Sequence, residues 1–204
     1  QVLGFNAGFL GLINADFIEL KEAQLSGILT LGGTILGTSR EKPYKLVSED
    51  GSNNHKPEKI IENYHKLGLD AVVCIGGNGT MKTAHLLSQE GLNIVGIPKT
   101  IDNDVWGTDV TFGFDSAVQI ATDAIDRLHT TANSHQRVMI IEIMGHNAGW
   151  LALYSGLAGG GDVILIAALP YNLDTVIQKI EKRYEDKEPY SIVVVAEGIE
   201  HPKN

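Results

Sequence analysis

The stretch Pro98-Lys99-Thr100-Ile101-Asp102-Asn103-Asp104 places a cation, a hydroxyl and two carboxylates directly behind the apolar run Asn93-Ile94-Val95-Gly96-Ile97. Neighbouring carboxylates beside a lysine suit a reaction that needs one base and one metal or charge anchor. In an extended segment side chains alternate with period two, so Asp102 and Asp104 are expected on one side with Asn103 between them. A polar turn after a strand would account for an isolated D-x-D just as well. What surrounds this one argues for chemistry. Upstream, Asp70-Ala71-Val72-Val73-Cys74-Ile75 reads as a short, buried, β-branched strand. It runs into Gly76-Gly77-Asn78-Gly79-Thr80 and then a helical stretch over 81–89. A strand, a glycine loop and a helix in that order aim backbone N–H groups and a helix N-terminus at an anion. Glycines let the main chain approach phosphate oxygens with no Cβ in the way. Many such loops bind nothing, and it is the paired aspartates at the end of the next strand that make this one a candidate phosphate cradle.

These groups need elements to position them. Apolar and amphipathic stretches alternate along the chain. Helices are expected over 57–67, with Ile60, Ile61 and Tyr64 on one face, over 115–129, over 147–157, and from Asn172 as cap to about 184. Strands are expected at 138–143, 162–166 and 191–195, with a polar loop at 48–56. Alternation of this kind predicts an α/β fold, doubly wound, its mostly parallel sheets covered by helices on both faces. Such sheets bind ligands at the carboxyl ends of their strands, where Asn78, Asp102, Met144 and Glu197 all fall. Trp106 and Trp150 are expected to be packing residues.

Composition narrows the function classes. With 204 residues and 43% hydrophobic content the chain can bury a core of one or two domains. A net charge of −9 disfavours nucleic-acid binding driven by phosphate attraction. The single cysteine, Cys74, reads as a small buried hydrophobe and permits no internal disulfide, in keeping with a cytoplasmic setting. No apolar run is long enough to span a bilayer. A start at Gln1 and a stop at Asn204 just past a strand read as part of a longer chain.

Taken together, the motifs resemble the phosphofructokinase family. The resemblance rests on Gly32-Gly33-Thr34-Ile35-Leu36-Gly37-Thr38-Ser39-Arg40, the glycine loop, Pro98 to Asp104, Gly107-Thr108-Asp109, Ser134-His135-Gln136-Arg137 and Met144-Gly145-His146. It implies a glycolytic phosphotransferase moving a phosphoryl group from ATP, or in some branches pyrophosphate, to the 1-hydroxyl of fructose 6-phosphate. Two similar lobes are implied with the active site in the cleft between them, the donor lobe at 1–113 and the sugar lobe at 114–204. Asp102 would be the base that takes the hydroxyl proton, with Lys99, Thr100 and Asp104 beside it. Arg40, Gly76, Gly77, Asn78, Gly79 and Thr80 would hold the donor, and Mg²⁺ would sit on Asn78 and Asp102. Thr100, Asp102, Asp104, Arg137, Met144, Gly145, His146 and Glu197 would contact the sugar phosphate. In the family the arginine at position 137 reaches a neighbouring subunit's site, so a homo-oligomer, a dimer of dimers, is implied. Neither a nucleic acid nor a membrane is an expected partner.

Several positions depart from the family pattern. Asn78 stands where most members carry aspartate; an amide can ligate Mg²⁺ but brings no charge. Gly79 leaves room for a nucleoside-bearing donor, whereas Lys99 occurs in pyrophosphate enzymes and in a mixed branch, and Thr83 replaces a glycine common in ATP users. Steric room favours ATP, with pyrophosphate as the alternative. The cations of the bacterial effector site are absent around Arg127 and Lys187, so that site is not expected. Ala167-Ala168 replaces a common Pro-Glu pair. The family's first strand and glycine loop, and the basic residues that come after Glu197, lie outside 1–204, so this stretch alone is expected to lack full activity. Two other readings compete. The lipid and NAD kinase group shares the glycine loop but not the segments around Asp102 and Arg137. A subunit without chemistry, serving nucleotide binding or assembly, would fit Asn78 but not the intact Asp102, Asp104 and Arg137.

Overall fold

The computed structural model describes residues 1–45 and 55–200, so most of the loop expected at 48–56 lies outside the described residues. Contacts group the chain into two compact units, Gln1–Ile97 and Pro98–Asn204. The boundary thus falls before the 98–113 segment rather than after it. Hydrogen bonds and packing join that segment to the second unit: the Phe114 amide donates to Thr111 O at 3.2 Å, and Ile101 packs on the cluster that contains Phe114.

In the first unit, β1 (Leu3–Phe5) and β2 (Phe17–Glu19) pair antiparallel around α1 (Phe9–Asn14). The short helix α2 (Glu22–Leu25) and a 3₁₀ turn (Ile28–Thr30) come next. Then come α3 (Lys56–Lys66), β3 (Val72–Gly76), α4 (Asn78–Gln89) and β4 (Ile94–Pro98), with β3 and β4 paired. Leu12 and Ile13 of α1, Ile60 and Tyr64 of α3, and Leu87 and Leu92 form the core. Buried Asn63 secures that packing, since its Nδ2 donates to Leu12 O (2.9 Å) and Ile13 O (2.8 Å), two carbonyls at the open end of α1. The buried-strand expectation for β3 holds on one face only. Val72, Cys74 and Gly76 turn inward, while Val73 and Ile75 are exposed, because the two-stranded sheet has core on one side.

In the second unit, α5 (Phe114–His135), β5 (Val138–Ile143), α6 (Trp150–Ala158), β6 (Val163–Leu165), α7 (Leu173–Glu185) and β7 (Ser191–Ala196) alternate as expected. The sheet order is β5-β7-β6 and every pair is parallel. Period-two alternation sends Met139, Ile141 and Ile143 of β5, and in register Ile192, Val194 and Ala196 of β7, into one core with α5 and α6. Ser191, of opposite parity, receives Arg183 of α7 on the other face: Arg183 Nε donates to Ser191 Oγ (3.2 Å) and its guanidinium pairs with Asp162 (2.9 Å). Helices thus cover both faces. Asn172 caps α7 as read from the sequence, its Oδ1 accepting from the Asp174 and Thr175 amides. Helix α5 runs on to His135, beyond the expected end at 129, because Ile125 and Ala132 continue its apolar face into the core. Helix α6 starts at Trp150 rather than 147, after a tight turn over 145–149.

No helix among the described residues is long and apolar enough to cross a membrane. Trp106 is 96% exposed and so is not the packing residue expected, whereas Trp150 stacks edge-on to Tyr154.

Burial pushes the Cys74 thiol up to about 11 from its ordinary 9.0. Folding therefore favours the protonated thiol. As pH rises past 9 the unfolded chain ionises first, and this contribution to stability falls until about 11. Denaturation midpoints measured from pH 8 to 11 are expected to drop more steeply for the native sequence than for Cys74→Ala.

Candidate functional site

Strand β4 ends at Pro98, and the polar segment beyond it folds back on itself. The Asp102 amide donates to Thr100 Oγ1 at 3.2 Å, while the Thr100 hydroxyl donates to Asp102 Oδ2 at 2.9 Å. A hydroxyl two residues upstream thus holds one carboxylate oxygen and leaves the other for a reacting group. Asn103 comes next, in the left-handed region at φ 52°. The segment is therefore not extended at that point, and period-two alternation does not set the sides of Asp102 and Asp104. Asparagine tolerates this conformation better than most residues, and here it turns the chain between the two acids. Lys99 is exposed and forms a parallel bridge with Phe112.

A second cluster gathers where β5 and β7 end. These parallel strands pair in register up to Ile143 and Ala196, so Met144-Gly145-His146 and Glu197 emerge side by side. The His146 amide donates to Glu197 Oε1 at 2.6 Å. His146 itself lies at φ 51° and Gly145 at 135°, which turns the loop sharply back over the strand ends. Gly198 belongs to the same packing, because a Cβ there would lie 2.5 Å from His146 O. Met144, His146 and Glu197 keep exposed side chains and Gly145 is buried.

Arg137 lies at the opposite end of β5. It closes the C-terminus of α5, where Gln136 is left-handed and the Arg137 amide donates to Ala132 O at 3.0 Å. From 137 to 144 the chain runs along β5 at about 3.3 Å per residue, which separates Arg137 from Met144 by about 23 Å.

In the first unit the glycine loop is shorter than expected. Helix α4 begins at Asn78, so Asn78, Gly79 and Thr80 form its first turn, where the aligned peptide dipoles place partial positive charge. Two glycines have different reasons to be there. At Gly76 a Cβ would meet Thr80 Oγ1 at 2.3 Å, whereas at Gly79 nothing lies within 4 Å. Gly76 is required for the strand to meet the helix; Gly79 keeps open space above the turn. No acidic side chain occupies this first turn, which suits an anion. Arg40 is exposed in the loop at 37–42.

The sequence profile described as phosphofructokinase matches residues 1–204. The chain belongs to the phosphofructokinase family. It is 61% identical over 203 residues to an ATP-dependent 6-phosphofructokinase of Spirochaeta thermophila, covering 97% of this chain and 55% of that protein. It is 50% identical over 196 residues to a pyrophosphate–fructose 6-phosphate 1-phosphotransferase of Amycolatopsis mediterranei, covering 96% and 55%. The chain thus spans a little over half the length of these relatives. Among solved structures, Pichia pastoris phosphofructokinase in the T-state superposes with a TM-score of 0.86 at 31% identity, over 99% of this chain and 24% of that one.

Within the second unit, the structure joins Thr100 to Asp102 and the Met144 loop to Glu197, and it sets Arg137 apart from both Met144 and Glu197. Among the described residues no three His, Cys, Asp or Glu side chains gather to hold a metal. Motif spacing includes Asn103 but does not reveal that it, with Thr111, ties the Asp102 segment down. The one available signal was an amide lying between two acids.

Replacing Gly76 by alanine is expected to lower stability by about 1–3 kcal/mol through the clash with Thr80, read as a shifted urea midpoint. Gly79→Ala, on a helical backbone with open space for the added methyl, should instead raise stability by up to about 1 kcal/mol.

Proposed function

We propose that the protein containing this chain transfers the γ-phosphoryl group of ATP to the 1-hydroxyl of fructose 6-phosphate, giving the 1,6-bisphosphate and ADP. The observation that carries this is the Asp102 carboxylate, held by Thr100 in the loop beyond β4, in a chain of this family. A sugar hydroxyl is a weak nucleophile, so a carboxylate must accept its proton as the oxygen attacks phosphorus. Asp102 does this, and Thr100 keeps its second oxygen directed at the substrate. Lys99 and Asp104 set the local charge. In the donor unit, the amides of the glycine loop and of the first turn of α4 bind phosphate oxygens, with Arg40 neutralising charge. In the first unit, Asn78 would offer an amide oxygen to Mg²⁺. When bound, Mg²⁺ draws charge from the phosphoryl oxygens.

Met144, Gly145, His146 and Glu197 form the sugar contacts, and the Glu197 bond to the His146 amide gives that loop its shape. The distance along β5 supports assigning Arg137 to a different sugar site, that of a second copy, and with it a homo-oligomer arranged as a dimer of dimers. A cytoplasmic setting and a place in glycolysis go with this reading.

Pyrophosphate is the second candidate donor. Lys99 and the identity to a pyrophosphate-named relative favour it. The empty space at Gly79 favours ATP, whose nucleoside needs room.

Full-length protein assayed with ATP and with pyrophosphate, each with fructose 6-phosphate, is expected to turn over faster with ATP. Asp102→Asn should lower kcat by about 10²–10⁴-fold while fructose 6-phosphate still binds. Unchanged turnover in that variant would sink the assignment of the base.

A further inference from the structure

The Asp102 segment is held from below by two residues that no family motif singles out. Thr111 is 2% exposed, and its hydroxyl donates to Thr100 O at 2.8 Å. Its amide donates to Asn103 Oδ1 at 2.9 Å, with the hydroxyl also 3.4 Å from that oxygen. Next to it, the Phe112 amide donates to Pro98 O. Two consecutive residues, 111 and 112, therefore grip the backbone at 98 and 100 and the side chain at 103. Asp102 lies between two of these anchors, Thr100 and Asn103.

Asn103 does two jobs at once. Its left-handed backbone turns the chain between Asp102 and Asp104, and its amide oxygen takes the buried Thr111 N–H that would otherwise lack a partner. Sparsely populated backbone conformations persist only where surrounding bonds over-determine them, and they gather where a group must be held in one orientation.

We propose that Asn103 and Thr111 are positioning residues that orient the Asp102 carboxylate toward the hydroxyl it deprotonates. The inference rests on the kinase reading above, and its mechanism is geometric. Thr111 fixes the Thr100 carbonyl, which fixes the Thr100 hydroxyl bonded to Asp102. Asn103 fixes the other flank. A base displaced by about 1 Å loses on the order of 10²-fold in rate while substrate affinity stays close to normal.

The test uses the full-length protein at a temperature well below its unfolding transition. Thr111→Val keeps shape but removes the hydroxyl, and Asn103→Gly keeps the left-handed backbone but removes the acceptor. Each is expected to lower kcat by about 10²-fold, with KM for fructose 6-phosphate within about threefold of the native value. Thr111→Ser, which restores the hydroxyl, should recover most of the loss. A double-mutant cycle separates positioning from mere stability. In an Asp102→Asn background, Thr111→Val should cost little further turnover, because the group it orients is gone; a purely structural role would keep the losses multiplicative. If native protein phosphorylates fructose 6-phosphate and Asn103→Gly and Thr111→Val both retain kcat within threefold, the proposal is overturned. Multiplicative losses in the cycle, or Thr111→Ser as impaired as Thr111→Val, overturn it as well. Native protein inactive with both donors would instead overturn the kinase reading.

Discussion

Parallel strands cannot be joined by a tight turn. Each must return through a crossover, usually a helix, so all the strands finish at the same edge of the sheet. The meeting of the 144–146 loop with Glu197 in the second unit depends on that constraint. Strands β5 and β7 pair in register from Val138 opposite Ser191 to Ile143 opposite Ala196, and the residues just past each strand must meet. The bond from the His146 amide to Glu197, across 51 positions of sequence, is the direct consequence. The same register places Arg137 at the far end of β5, where the 144–146 loop is out of its reach. A sheet that gathers one set of residues at one edge separates another set by the length of its strands.

His146 and Asn103 are both left-handed without being glycine, and each is held by a partner distant in sequence, Glu197 in one case and Thr111 in the other. The cost of such conformations is about 1–3 kcal/mol each, and the hydrogen bonds that maintain them offset part of it. Glu197 thus shapes its loop with one carboxylate oxygen. The glycine loop obeys a different logic. Gly76 is needed for close packing against Thr80, while Gly79 keeps space open, so two glycines three residues apart serve opposite ends.

Much of the fold was legible in the sequence because burial and period agree there. The strands at 138–143 and 191–195, the Asn172 cap and the Ile60/Tyr64 face all arise from side chains that only one kind of element can bury. Where expectation and structure part, a distant contact decided. Helix α5 extends to His135 because Ala132 is buried against the sheet, and α4 starts three residues early because the glycine loop closes directly onto it. Strand β3 has a core on one side only, so Val73 and Ile75 stay exposed despite their hydrophobicity, and Trp106 is exposed despite its size.

Order along the chain and residue chemistry were enough to mark Asp102, the glycine loop and the 144–146 loop as candidates, since an acid, a glycine turn or a strand end is a local property. Local sequence did not reveal which groups restrain them. The pairing of Glu197 with His146, the grip of Thr111 on Thr100 and Asn103, and the separation of Arg137 from Met144 are products of register and burial. Hydrogen bonds between residues far apart in sequence form only when packing has already brought their backbones within about 3 Å, and that distance is a property of the folded sheet.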